Sequence, residues 1–202
     1  MGFSHDVGCL YLHGFLSSPA SEKAVELQRF YQQHLTPEQV SIPELPFEPA
    51  HAMALAQHFL TELQSRYQRV FIIGSSLGGF YATWLSQQLN IPAVLVNPAV
   101  NPHGLFRHYL GPNQHFYSGE THILEERHLE QLALLATESI TRPENVLLLL
   151  QTGDETLDYR HAARLYRHCP GWLESGGNHR FNGFTERLPE MIQFAEYWSP
   201  AK

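Results

Sequence analysis

The stretch RVFIIGSSLGGFYATWL, Arg69 to Leu85, decides the fold. Val70–Ile73 is an apolar run rich in β-branched residues, the composition of a buried strand. The chain then turns through GSSLGG and continues with a helical pattern. Glycines and serines at such a strand-to-helix turn serve one of two chemistries: they cradle a phosphate, or they present a nucleophilic serine. A Walker loop requires lysine where GSSLGGFY carries Phe80. A dinucleotide fingerprint requires a glycine where Ser76 stands, and an acidic residue about 20 positions on. No Asp or Glu occurs between Glu62 and Glu120. Both phosphate readings therefore fail on residue chemistry.

The serine reading is satisfied. Gly74-Ser75-Ser76-Leu77-Gly78 is G-x-S-x-G between a strand and a helix. The central serine of such a turn is strained, and its neighbours two residues away must lack bulk, which Gly74 and Gly78 do. The amide of Leu77 then faces the carbonyl oxygen under attack, and the helix N-terminus adds partial positive charge. The alternative is a glycine-rich packing turn.

A serine hydroxyl needs a base and an orienting acid. With a nucleophile at such an elbow, the acid and then the base follow later in the chain. The aspartates are Asp6, Asp154 and Asp158. Asp154 follows the apolar run VLLLL, at the sheet edge where sites of open α/β folds lie. Asp158 is its rival, with helix capping as its other role. Beyond Asp158 the histidines are His161, His168 and His179. The first two fall in YRHAARLYRHC, read as a helix with both on its surface. His179 lies in the Gly-rich loop ESGGNHRF, suited to a mobile, exposed imidazole. A second oxyanion donor is expected from YLHGF, where His13-Gly14 turns the chain so that the Phe15 amide faces the site. His13 either braces that loop or is a packed structural histidine.

Strand-like and helix-like segments alternate along the rest of the chain. Strands are expected at 7–12, 40–45, 70–73, 93–100, 145–152 and 171–175. Helices are expected from Ser18 (N-cap, with Pro19 at the first helical position) to Leu35, and at 49–67, 77–89, 159–169 and 186–198. This alternation predicts an α/β fold with about six parallel strands, helices on both faces and one domain over 1–202. Residues 100–142 break the rhythm as a cap-like insertion, with a helix-like piece at 121–136.

The formal charge of −7 and the absence of any Lys/Arg run argue against nucleic acid as a partner. The first residues lack a secretory pattern, and no apolar run is long enough to span a membrane. Cys9 and Cys169 lack metal spacing and read as reduced thiols, so a cytoplasmic location is expected.

HGF near the start, GSSLGGFYATWL, VNPAVNP, QTGDETLDYR and GGNHRFNGF, in this order, resemble an α/β-hydrolase, and more narrowly the small YqiA-type bacterial esterases. The resemblance covers nearly the whole chain. It implies a compact core with strand order 2-1-3-4-5-6. It also implies Ser76 as nucleophile, Asp154 as acid and His179 as base, acting on carboxylic esters or acyl thioesters without metal or cofactor. A non-catalytic binding protein and an acyltransferase of the same fold are the competing readings. Leu105, Phe106, Tyr109, Leu110, Phe116 and Tyr117 are candidates for an acyl pocket, with short to medium chains expected. Arg107, His108, Arg127 and Arg180 are candidates for attracting an anionic group.

Overall fold

The structure, a computed structural model, describes residues 3–198. Met1, Gly2 and residues 199–202, with Lys202 and both ends of the expected 1–202 unit, lie outside it.

In chain order the elements are β1 (Val7–Leu12), α1 (Glu22–His34), β2 (Val40–Ser41), α2 (Pro49–Arg66), β3 (Arg69–Ser75), α3 (Leu77–Leu89) and β4 (Ala93–Val96). There follow α4 (Pro102–Phe106), β5 (Gly111–Gln114), β6 (Thr121–Leu124), α5 (Glu126–Leu134), β7 (Val146–Gln151), α6 (Tyr159–Leu165), β8 (Gly171–Glu174) and α7 (Phe184–Tyr197). Six strands form one parallel sheet in the order β2-β1-β3-β4-β7-β8. With β7 and β8 as the fifth and sixth strands of that sheet, this is the expected order.

Successive residues of the central strands point to opposite faces, and both faces are covered. Leu10, Leu12, Ile72, Leu95, Leu148 and Leu150 pack with residues of α2, α3, α5 and α6. Cys9, Tyr11, Phe71, Ile73, Val96 and Leu149 pack with residues of α1 and α7. A strand buried on both sides has no polar face to alternate with, which is why VFII, AVLV and VLLLL read as unbroken apolar runs.

Several boundaries differ from the sequence expectation. The first helix starts at Glu22 with Ser21 as N-cap, not at Ser18. Ser18 instead closes a turn: its carbonyl accepts the Ser21 amide at 3.0 Å and its hydroxyl accepts the Ala20 amide at 3.0 Å. Pro19 fits such a turn as well as it fits a helix start. The second strand is Val40–Ser41 rather than 40–45, because Pro43 has no N–H to give a sheet ladder; the fourth ends at Val96 rather than 100, where Asn97 turns to φ 41° and Pro98 has no N–H. The helix expected over 159–169 ends at Leu165, so His168 lies beyond it; His161 and His168 are both exposed.

The largest correction concerns 121–136. Thr121–Leu124 is a strand, paired antiparallel with Gly111–Gln114, and the helix occupies only Glu126–Leu134. The amphipathic signal of the helix masked the four residues before it. Gly-Pro-Asn-Gln has no β-forming composition to announce its partner strand.

Candidate active site

Ser76 joins β3 to α3 with φ 56° and ψ −121°. A non-glycine residue at positive φ costs on the order of 1–3 kcal/mol and persists only where its surroundings enforce it. Here the Ser76 amide donates to Val96 O at 3.1 Å. Its carbonyl accepts from Gly79 and Ala99, each at 3.0 Å. The flanking glycines permit the close approach. A Cβ on Gly78 would lie 2.0 Å from Leu12 O, and one on Gly74 would lie 2.4 Å from Gly78 O.

His179 and Asp154 arrive from the loops after β8 and β7. His179 Nε2 is 3.0 Å from Ser76 Oγ, and its Nδ1 is 2.8 Å from Asp154 Oδ2. The carboxylate accepts a hydrogen bond from Nδ1–H, which leaves Nε2 free to accept from the serine hydroxyl. The Asp154 side chain is 2 % exposed and that of His179 is 22 % exposed. Burial alone would raise the Asp154 pKa. The hydrogen bond from His179, then the amides of Leu157 and Thr156 on Oδ1 at 2.8 and 2.9 Å, outweigh it and hold the carboxyl below its ordinary value.

The rival Asp158 caps α6. Its side chain accepts the Arg160 amide at 3.0 Å and pairs with the Arg160 guanidinium at 2.7 Å. It makes no hydrogen bond to His179 among the described residues.

The loop of His179 is fixed rather than free. The Asn97 amide group donates to Asn178 O at 3.0 Å. Gln151 Oε1 accepts the amides of Asn178 and Asn182 at 3.2 and 2.9 Å. Glu155 Oε2 accepts the His179 amide at 2.9 Å, and that bond lowers the Glu155 pKa. Phe181 is buried in the core beneath the loop. The sequence reading missed Asn97, Gln151 and Glu155. Only their position just after or at the ends of β4 and β7 hinted at a site role.

Opposite Ser76, Gly14 packs so closely that a Cβ there would lie 3.3 Å from Ser76 Cβ. Neither the Phe15 nor the Leu77 amide donates a hydrogen bond to another described residue. His13 is buried and neutral: burial lowers its pKa. Its Nε2 accepts the Leu45 amide at 3.1 Å, so the proton sits on Nδ1, 3.0 Å from Gly14 O. It is thus both packed and bracing, tying the 13–15 turn to the segment after β2.

A cavity of about 600 Å³ opens over Ser76 and His179. Leu105, Phe106, Tyr109, Phe116 and Tyr117 line it; Leu110 does not. Among the four candidates for an anion site, Arg180 alone lines this cavity. Arg107, Arg127 and Arg180 each face a carboxylate, Glu126 at 3.3 Å, Glu125 at 2.6 Å and Glu22 at 3.7 Å respectively. His108 lines a separate groove. Lys23 also lines the cavity; its Nζ donates to Arg180 O at 2.8 Å, and burial lowers its pKa to about 8.

The model of the uncharacterised protein family UPF0227 matches residues 8–196. The chain belongs to this family. It is the YqiA family that the sequence motifs resemble. The UPF0227 proteins of Klebsiella pneumoniae and Serratia proteamaculans are each 28 % identical to the chain, over 199 and 195 residues, covering 92 % of it and 97 % of each relative. Among solved structures, mouse alpha/beta hydrolase domain-containing protein 10 superposes with a TM-score of 0.70 at 13 % identity, covering 96 % of this chain and 90 % of that one. The Paleococcus ferrophilus monoacylglycerol lipase gives 0.68 at 15 % identity, covering 96 % and 97 %. Est1E of Butyrivibrio proteoclasticus, with ferulic acid bound, gives 0.64 at 14 % identity, covering 93 % and 86 %. These likenesses establish that this UPF0227 member has the α/β-hydrolase fold. No described helix is long and apolar enough to cross a membrane.

Proposed function

We propose that this protein is a serine esterase that hydrolyses small-molecule carboxylic esters through an acyl-enzyme. The observation that carries the reading is the hydrogen-bonded series Ser76 Oγ, His179 Nε2, His179 Nδ1 and Asp154 Oδ2, at 3.0 and 2.8 Å, with the serine held at positive φ. In the proposed cycle His179 takes the Ser76 proton as Oγ attacks the acyl carbon. The amides of Phe15 and Leu77 hold the oxyanion. His179, oriented by Asp154, then gives the proton to the leaving alcohol or thiol, and water repeats the sequence to release the acid. This scheme calls for no metal or cofactor. Residues 100–142 act as a cap whose aromatic residues form the acyl wall, consistent with short to medium chains.

The test is hydrolysis of p-nitrophenyl esters from acetate to palmitate by wild type and Ser76→Ala, with fluorophosphonate labelling alongside. Loss on the order of 10⁶-fold in kcat for the variant is expected, as in other serine triads. Full activity in the variant overturns the mechanism. A wild type that neither cleaves nor labels is a binding protein, and one that makes ester from added alcohol faster than free acid is an acyltransferase.

A further inference from the structure

The β5–β6 hairpin reaches across to the turn that follows Gly14, and its tip carries a histidine with every polar atom committed. His115 Nδ1 accepts the amides of Tyr117 and Ser118 at 3.3 and 3.1 Å, which folds the tip on itself. Two accepted protons leave Nδ1 bare and place the ring proton on Nε2. That proton is donated to Ser17 O at 2.9 Å. One residue on, the Phe116 amide donates to Leu16 O at 3.1 Å. Two consecutive carbonyls of the Gly14–Ser17 turn are therefore held by two consecutive residues of the hairpin. The side chain of His115 is 12 % exposed, whereas that of Glu44, the carboxylate nearest to Nε2 at 3.8 Å, is 61 % exposed.

The turn needs such a hold. Leu16 has φ 53°, a conformation that L side chains avoid and that surrounding contacts must impose. On one side of Leu16 is Phe15, which lines the cavity over Ser76. On its other side is Ser17, the residue gripped by His115. The Phe15 ring packs on Phe47 and Phe106, with centroids 5.6 and 4.6 Å away, but ring packing does not set the direction of an amide. The Phe15 N–H lies in the Gly14–Phe15 peptide plane, whose carbonyl, Gly14 O, is held by His13 Nδ1 at 3.0 Å; the hairpin anchors the other end of the same turn at Leu16 O and Ser17 O, so the placement of the turn over Ser76 depends on both ends.

We propose that His115 is a positioning residue, a latch through which the hairpin holds the Gly14–Ser17 turn so that the Phe15 amide points at the oxyanion. The proposal rests on the esterase reading for its catalytic consequence, but the latch is a physical contact with its own readout. It gives the hairpin a role beyond walling the cavity. Loosening the turn weakens an interaction made in the transition state and is read in kcat, while KM reports any shift of Phe116 and Tyr117, which line the cavity from the hairpin tip.

The experiment compares wild type, His115→Leu, His115→Gln and Ser76→Ala. It measures p-nitrophenyl butyrate kinetics and amide hydrogen exchange of the peptide spanning residues 14–18. His115→Leu removes both the donor and the acceptor. His115→Gln keeps an N–H at the position of Nε2 and serves as the conservative rescue. In His115→Leu, exchange at 14–18 is expected to rise by roughly tenfold or more as local opening becomes easier, with the β1 and β3 amides unchanged. Its kcat is expected to fall about 10- to 100-fold, somewhat less than outright removal of an oxyanion donor. His115→Gln is expected to recover most of both. Unchanged exchange at 14–18 in His115→Leu overturns the latch whatever the activity. Raised exchange with undiminished kcat overturns the positioning role, as does a general rise in exchange across the sheet, which would assign His115 to stability alone. Failure of the esterase reading shows elsewhere, as a wild type no more active than Ser76→Ala.

Discussion

Replacing Asp154 by asparagine separates orientation from charge at the site. Asp154 Oδ1 is held by two amides, those of Thr156 and Leu157 at 2.9 and 2.8 Å. An asparagine must place its carbonyl oxygen there, because its NH₂ has nothing to offer two N–H donors. Its NH₂ then faces His179 Nδ1 at the position now held by Oδ2, 2.8 Å away. A donor at that point forces Nδ1 to accept, so the ring proton moves to Nε2. The imidazole then presents N–H to Ser76 Oγ and cannot take the serine proton. The fold loses little, since both loop amides stay satisfied. The expected loss is about 10⁴-fold in kcat, as for the same change in other serine triads, equivalent to ~5 kcal/mol of barrier. The assay is p-nitrophenyl butyrate hydrolysis at neutral pH, with thermal unfolding as the control. Asp158→Asn serves as the comparison: Asp158 is an exposed cap, and its change should alter kcat by less than about threefold. Activity of Asp154→Asn within tenfold of wild type, or a larger loss in Asp158→Asn, refutes the assignment of the acid.

Three further outcomes follow from packing and charge. Gly78→Ala sets a Cβ 2.0 Å from Leu12 O between two buried backbones, and should lower stability in urea by about 3 kcal/mol or more. Gly104→Ala, in α4 with nothing within 4 Å of the new Cβ, should stabilise by about 0.5–1 kcal/mol; a loss there would refute the reading of open space. Lys23 titrates at about 8 in the fold, against 10.5 for an ordinary lysine, so between these values the unfolded chain binds more protons. Wild type should therefore gain stability relative to Lys23→Met as pH rises from 8 to 10.5, and a flat difference across that window in urea melts would refute the lowered pKa.

Much of the architecture is a local property of the chain. Strand β3, the serine turn and helix α3 are contiguous, and their apolar runs, glycines and helical spacing encode each piece within a few residues. The same holds for the apolar runs of β4 and β7, whose lack of alternation already requires cover on both faces. The choice of Ser76, Asp154 and His179 rests on residue type, chain order and position after strands, and such constraints leave few alternatives in a chain with three aspartates.

Contacts between distant residues carry no such signal. Asp154 and His179 are 25 positions apart, and His179 and Ser76 are 103 apart. The sequence favours Asp154 over Asp158 only by its place directly after β7 and by the helix start at Asp158; the contact with His179 itself is made by the path of the chain after β7, which turns one inward and leaves the other to cap α6. The roles of Glu155, Asn97 and Gln151 likewise depend on side chains meeting backbone amides and carbonyls of another loop, and backbone groups are alike at every position. The β5–β6 hairpin was hidden for a related reason. Its first strand has no intrinsic preference for extension, and it becomes a strand only because Thr121–Leu124 lies beside it. Periodicity and propensity specify elements whose stabilising contacts lie along the chain. The hairpin, the latch at His115 and the partner of His179 depend on contacts across it, and folding creates these only after the elements have packed.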